Sequence, residues 1–202
     1  MLHINGFTIF PVYLDLEAQR DLVSALRERV DNAPLFQPVM PRTGKPFSVR
    51  MTNLGSLGWV SDVNGYRYQN VHPITGKPWP AMPQVLLDLW DQLSGYRHPP
   101  EACLVNYYGY GTRMGLHQDN GEDARDAPVV SISLGDDCVF RMGGPQRNSP
   151  TRSIRLHSGD VVVIGGVARF HYHGVDRIVA GTSALLTGGG RINLTLRRVT
   201  AP

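Results

Sequence analysis

Cysteine is almost missing from this chain, with two in 202 residues. Cys103 and Cys138 each lie inside an apolar run, "EACLVNYY" and "DDCVFRM". That excludes a disulfide framework and reads as two buried free thiols, in keeping with a reducing compartment. No run of 18 apolar residues occurs, so no segment is expected to span a membrane. The opening "MLHINGFTIFPVYLDLE" has no basic region before its apolar stretch and no small-residue cleavage signal, and Gly6 and Pro11 interrupt it. It does not read as a secretory signal, and a cytoplasmic protein is expected. Neither an internal repeat nor a low-complexity tract stands out. Charge is not extreme either: 20 Lys+Arg stand against 17 Asp+Glu, a net +3. A mildly basic balance permits a nucleic-acid partner without establishing one. The length suits a single domain, read as a monomer, that buries about 70% of the surface its unfolded chain exposes.

Two helices are expected. The first starts at Asp15 as N-cap, carries Leu22, Val23, Leu26 and Val30 on one stripe, and is closed by Pro34. The second covers about 82–94, with Pro83 in its first turn, Leu86, Leu89, Trp90 and Leu93 at helical spacing, and Gly95 as its stop. Residues 38–80 are rich in Gly, Pro and Asn. They contain one alternating stretch, "FSVRMTN", and an Asn-Gly turn signal in "VNGYRY". So long and weakly patterned a segment suits a lid or a functional surface.

Beyond residue 100 the chain becomes a series of short β-rich runs: "ACLVNYY", "PVVSISL", "DCVFRM", "SIRLH", "DVVVIGG", "RFHYHGV" and "RINLTLRRV". Helices followed by closely spaced strands predict an α+β domain, with an antiparallel sandwich, jelly roll or barrel backed by helices. The expected layout is one domain over 1–202: an N-terminal helix region (1–37), a lid (38–80), and a helix plus catalytic core (81–202).

Three features bear on chemistry. In "GLHQDNG", His117 and Asp119 share a face if the segment is extended, so an imidazole and a carboxylate can reach one ion. One more histidine from a distant strand would complete a facial two-histidine, one-carboxylate site, the arrangement that suits non-haem Fe(II), although zinc also accepts that set. "RFHYHGV" supplies two candidates, His171 and His173, on one face of a presumed strand. "RINLTLRR" places Arg191, Asn193, Thr195 and Arg197 at alternating positions. Such a polar face belongs either to a solvent-exposed edge strand or to a buried strand that meets an anion. A dicarboxylate would explain two spaced guanidiniums, because arginine grips carboxylate bidentately. Together these features suggest a 2-oxoglutarate-dependent oxygenase.

The blocks "LVNYYGYGTRMGLHQDNGE", "APVVSISLG", "FRMGGPQRN", "HSGDVVVIGGVARFHYHGV" and "RINLTLRR" resemble the AlkB family of iron- and 2-oxoglutarate-dependent dealkylases. "MTNLGSLGW", "GYRY" and "GKPWPAMP" resemble its bacterial members. The likeness spans about 38–198. It implies a double-stranded β-helix, with His117, Asp119 and His173 as iron ligands and His171 as a non-ligand. It also implies Asn106, Tyr108, Arg191, Asn193 and Arg197 around 2-oxoglutarate. Arg191 would take the far carboxylate and Arg197 the carboxylate next to the keto group. Trp59 would stack on a flipped-out alkylated base opposite His117, and Tyr66 and Arg147 would contact phosphate or sugar. The implied activity is oxidative demethylation of bases such as 1-methyladenine and 3-methylcytosine in DNA, single- or double-stranded. It would use Fe(II), 2-oxoglutarate and O₂ and release formaldehyde, succinate and CO₂. An AlkB-like oxygenase acting on RNA or another substrate, or a metal-binding jelly roll without oxygenase activity, is the alternative. One departure stands out. Bacterial members carry an acidic residue two places after the metal aspartate, where this chain has Gly121; that alters the expected base preference unless Glu122 takes the role.

Overall fold

A computed structural model describes residues 1–202. Two short strands, β1 (Leu2–Ile4) and β2 (Phe7–Phe10), precede helix α1 (Leu16–Asn32). Strand β3 (Arg50–Gly55) leads into a hairpin of β4 (Gly58–Asp62) and β5 (Gly65–Gln69), then helix α2 (Gln84–Leu93). The remaining strands are β6 (Ala102–Tyr108), β7 (Met114–His117), β8 (Val129–Gly135), β9 (Asp137–Met142), β10 (Arg152–Leu156), β11 (Val161–Ile164), β12 (His173–Val179) and β13 (Arg191–Arg197).

The strands form a seven-stranded sheet in the order β1-β2-β11-β8-β13-β6-β3, a four-stranded sheet in the order β10-β9-β12-β7, and the separate β4-β5 hairpin. Side chains from both larger sheets, among them Ile9, Met51, Val162, Phe140, Met142 and Val175, share one buried cluster. A second cluster joins the outer face of the seven-stranded sheet (Val105, Ile132, Leu194, Leu196) to both helices. This is the expected jelly roll with helices backing one sheet.

The helices follow from their patterns. Asp15 caps α1 by accepting from the Ala18 N–H at 2.9 Å, and Leu22, Val23 and Leu26 turn into the core. In α2, Leu86, Leu89 and Trp90 are buried, worth about 1.5–3 kcal/mol each, and Trp90 Nε1–H donates to the His98 carbonyl at 2.9 Å. The two cysteines are buried and free, as expected.

At four points the structure adds to, decides or corrects the sequence expectation. Strands β1 and β2 were not anticipated; β2 pairs with β11 and extends the larger sheet. Of the two readings left open for β13, the buried strand holds and the edge strand does not, because it is paired along its length on both sides, with β6 and β8. The strand expected over "RFHYHGV" begins only at His173; a 3-10 turn at Gly166–Ala168 and the following bend, held by His171 N–H to the Ala168 carbonyl at 2.8 Å, leave His171 outside it. Finally, a short repeat does exist: "VMPRTGKPF" (39–47) and "VHPITGKPW" (71–79) fold into twin turns. Met40 and His72 N–H each donate to the Lys45 and Lys77 carbonyl at 2.8 Å, and Gly44 and Gly76 take φ of 65° and 68°. The shared pattern is too short to stand out against a Gly/Pro-rich background, but it imposes one turn geometry because glycine alone enters the left-handed region freely.

Candidate active site

Strands β7 and β12 run antiparallel, and His117 and His173 are direct partners in the register. Asp119 follows β7 by two residues and returns its carboxylate between them. His117 Nε2 lies 3.8 Å from Asp119 Oδ1, and His173 Nε2 lies 3.6 Å from Asp119 Oδ2. One ligand atom from each residue falls within 4.8 Å of the others. Each imidazole is oriented by its second nitrogen: His117 Nδ1 meets the Gly115 carbonyl at 2.9 Å and His173 Nδ1 meets the His171 carbonyl at 3.0 Å. Nδ1–H donation leaves both Nε2 lone pairs facing the centre, the tautomer that a metal ligand needs. Desolvation against the cavity wall, then the neighbouring His173, lowers His117 to about 4 although its ring is partly exposed, so it is neutral near pH 7. For Asp119 burial works upward, but the Arg197 guanidinium beside it brings its carboxyl well below the ordinary range.

His171 does not join this group. Its ring Nδ1 meets the Asn5 carbonyl at 3.0 Å, and only its own carbonyl serves the site, as the acceptor for His173.

These three side chains open onto a cavity of about 300 Å³. The β13 face supplies Asn193, Thr195 and Arg197 to its wall, and β6 supplies Asn106 and Tyr108. Arg191 sits further along the same face, 1% exposed, outside the cavity wall. Its guanidinium lies 5.4 Å from the centroid of the Tyr108 ring, which does line the cavity. Asn106 Oδ1, Arg197 Nε and two nitrogens of Arg191 are buried with no partner in the chain. Arg191 forms no ion pair; its one side-chain hydrogen bond goes to Ser133 Oγ at 2.9 Å. Orphaned donors on a buried cation are costly, so this wall fits an anionic group carrying carboxylates. The His-Asp-His set equally fits a divalent metal that keeps open positions.

At the mouth, Trp59 and Tyr66 both line the cavity and stack on each other, with centroids 5.6 Å apart at 20°. They are diagonal neighbours on one face of the β4–β5 hairpin. The hairpin closes at Val63-Asn64, with Asp62 Oδ1 accepting from Asn64 N–H at 2.8 Å. Arg147 does not line the cavity; it is exposed, 6.0 Å from the Tyr172 ring. Gly121 reaches the wall, whereas Glu122 turns inward and bonds Tyr68, Arg169 and Arg197. Glu122 therefore does not supply the acidic group that Gly121 lacks. The sequence reading missed Tyr68 and Arg169. Tyr68 was legible as the residue two positions after Tyr66 in "GYRY", while nothing local marks Arg169.

Jelly-roll topology, a facial pair of histidines with one carboxylate, and a buried guanidinium wall define the class of metal-dependent oxygenases. The chain belongs to the 2OG-Fe(II) oxygenase superfamily, whose family model matches residues 6–197. Within it the relatives are AlkB dioxygenases. The chain is 57% identical over 195 residues, 96% of its length and 88% of the other, to the alpha-ketoglutarate-dependent dioxygenase AlkB homolog of Caulobacter vibrioides. It is 42% identical over 185 residues, 90% of its length and 85% of the other, to the alpha-ketoglutarate-dependent dioxygenase AlkB of Escherichia coli. The solved structure of OsALKBH1 superposes with a TM-score of 0.81 at 28% identity, covering 98% of this chain and 100% of that one.

Proposed function

We propose that this protein removes N-alkyl groups oxidatively from bases in nucleic acid, with alkylated DNA as its substrate and 1-methyladenine and 3-methylcytosine as lesions. The observation that carries the reading is the His117–Asp119–His173 cluster, with its ligand atoms within 4.8 Å of one another beside a cavity whose wall holds orphaned polar atoms. His117, Asp119 and His173 would hold Fe(II). Arg191, Arg197, Asn106, Asn193 and Tyr108 would hold 2-oxoglutarate. When bound, the iron and its co-substrate supply oxidation of the N-alkyl carbon by O₂, and formaldehyde, succinate and CO₂ leave.

The chain's own residues do the positioning. Backbone carbonyls fix the tautomers of both histidines. Arg197 donates to Asp119 Oδ1 at 2.8 Å and so orients the carboxylate. Arg191, which has no counter-ion, offsets the co-substrate's charge, and Arg197, already paired with Asp119 and Glu122, offers its unpartnered Nε. Residues 38–80 act as a nucleotide-recognition lid. Trp59 offers a plane for a base taken out of its stack, which offsets part of the unstacking cost, and Tyr66 and the exposed Arg147 face phosphate or sugar.

The test is formaldehyde release from single-stranded DNA carrying 1-methyladenine, with Fe(II), 2-oxoglutarate and ascorbate. Release is expected. No release from protein that demonstrably binds iron would overturn the reading.

A further inference from the structure

Glu122 is a fully enclosed carboxylate that faces no solvent and does not line the cavity. It accepts from three side chains: the Tyr68 hydroxyl, Arg197 Nη1 at 2.8 Å and Arg169 Nη2 at 3.0 Å. Arg169 also donates Nη1 to the Asp119 carbonyl at 2.5 Å and Nε to the Ala127 carbonyl at 2.6 Å. Arg197 spans the two acids, one nitrogen on Glu122 and the other on Asp119 Oδ1. Two carboxylates and two guanidiniums thus form a buried network of no net charge that includes Asp119 itself. Tyr68 belongs to β5, so the network also reaches the lid hairpin.

We propose that Glu122 is a positioning residue for the metal site. It holds Arg197 by one nitrogen so that Arg197 engages only one oxygen of Asp119 and leaves the other for a metal ion, and through Tyr68 it fastens the lid hairpin to the same point. The inference rests on the metal-site reading above. Arginine prefers to grip a carboxylate with two parallel N–H groups. Without Glu122 the freed nitrogen turns to Asp119, both carboxylate oxygens become engaged, and the network gains a positive charge. Both changes oppose a dication. Residues of this kind, one step removed from the ligands, commonly change metal affinity 10- to 100-fold.

The experiment is calorimetric titration with Mn(II), without co-substrate, on the wild type, Glu122→Gln and Tyr68→Phe, with a thermal melt of each. Glu122→Gln keeps the shape and removes the charge; its Mn(II) Kd is expected to rise about 10- to 100-fold. Tyr68→Phe is expected to keep the Mn(II) affinity and to raise the KM for a methylated oligomer while kcat stays. A lowered Tm with unchanged Mn(II) affinity in Glu122→Gln would show a merely structural role and overturn the inference. If Glu122→Gln does not fold, Glu122→Asp carries the test. Its charge is withdrawn by one methylene, so several-fold weaker Mn(II) binding supports the inference and wild-type affinity overturns it. An unchanged KM in Tyr68→Phe removes the lid connection. A wild type that binds no Mn(II) sinks the metal-site reading itself, whereas equal binding by wild type and Glu122→Gln sinks only this inference.

Discussion

His117 and His173 stand opposite each other on neighbouring antiparallel strands, their ring centroids 4.6 Å apart. Each donates from Nδ1 to a backbone carbonyl two residues earlier in the chain, so the pair is preset to offer Nε2 to the same ion. The cost of ordering these ligands is met by the fold before any metal arrives.

His173→Ala is therefore expected to abolish metal binding and formaldehyde release together. His171→Phe is expected to preserve both, because only the backbone of His171 serves the site. Metal content after dialysis and a formaldehyde assay check both variants. Metal binding that survives His173→Ala would remove the triad.

The sequence marked His171 and His173 as equals because alternation puts i and i+2 on one face. That argument holds only inside a strand, and the strand starts at His173. By contrast, the polar face of β13 was legible from alternation alone. What alternation could not say was whether that face met solvent or the interior. The answer depends on β6 and β8 pairing on either side, a long-range arrangement that no local pattern encodes.

Arg191 is a buried guanidinium with two unpartnered nitrogens. Arg191→Met is expected to stabilise the protein free of metal and co-substrate, by about 1–3 kcal/mol, because it removes a buried cation that has no counter-ion and two unsatisfied donors. The same change is expected to weaken 2-oxoglutarate binding by about 2–5 kcal/mol, roughly 30-fold or more in Kd. Thermal melts and calorimetry read the two effects separately. A destabilised variant with unchanged co-substrate affinity contradicts the assignment.

Gly121 leaves the cavity with no carboxylate except Asp119. A Cβ placed there would meet Tyr68 Cε2 at 3.7 Å, an ordinary contact, so a side chain fits. Gly121→Asp is expected to shift the ranking toward the cationic lesions 1-methyladenine and 3-methylcytosine over neutral etheno bases. One added charge interaction worth about 1.4 kcal/mol would give a change on the order of 10-fold in relative kcat/KM. Parallel assays on the three lesions decide it, and an unchanged ranking refutes it.

The metal-free protein should lose stability on mild acidification. The folded state holds His117 at about 4 against an ordinary 6.5, so the unfolded chain binds that proton more readily. Stability is full above about 6.5 and declines as pH falls from there toward 4. Asp119 and Glu122 behave as carboxyls held below their ordinary values. In each, burial works upward and the Arg197 guanidinium overrides it, so their contribution is lost only at lower pH still. His117→Asn is expected to flatten the first stage and leave the second. Thermal melts of metal-free protein across this range check it, and an unflattened first stage in the variant would assign it elsewhere.

By itself the sequence determined what local physics can carry. Asp15 and the stripe Leu22–Leu26 determined α1, and Leu86, Leu89 and Trp90 determined α2. Alternation made β13 two-faced, and the ordered blocks indicated the family. Tertiary structure alone decided the rest. It set His117 against His173 across two strands, buried the β13 guanidiniums, started β12 so that His171 falls outside it, and turned Glu122 inward between Arg169 and Arg197. The physical reason is the same in each case. A side chain's type and period follow from its neighbours in the chain, but its partner, and therefore its charge state and role, follows from which distant strand packs beside it.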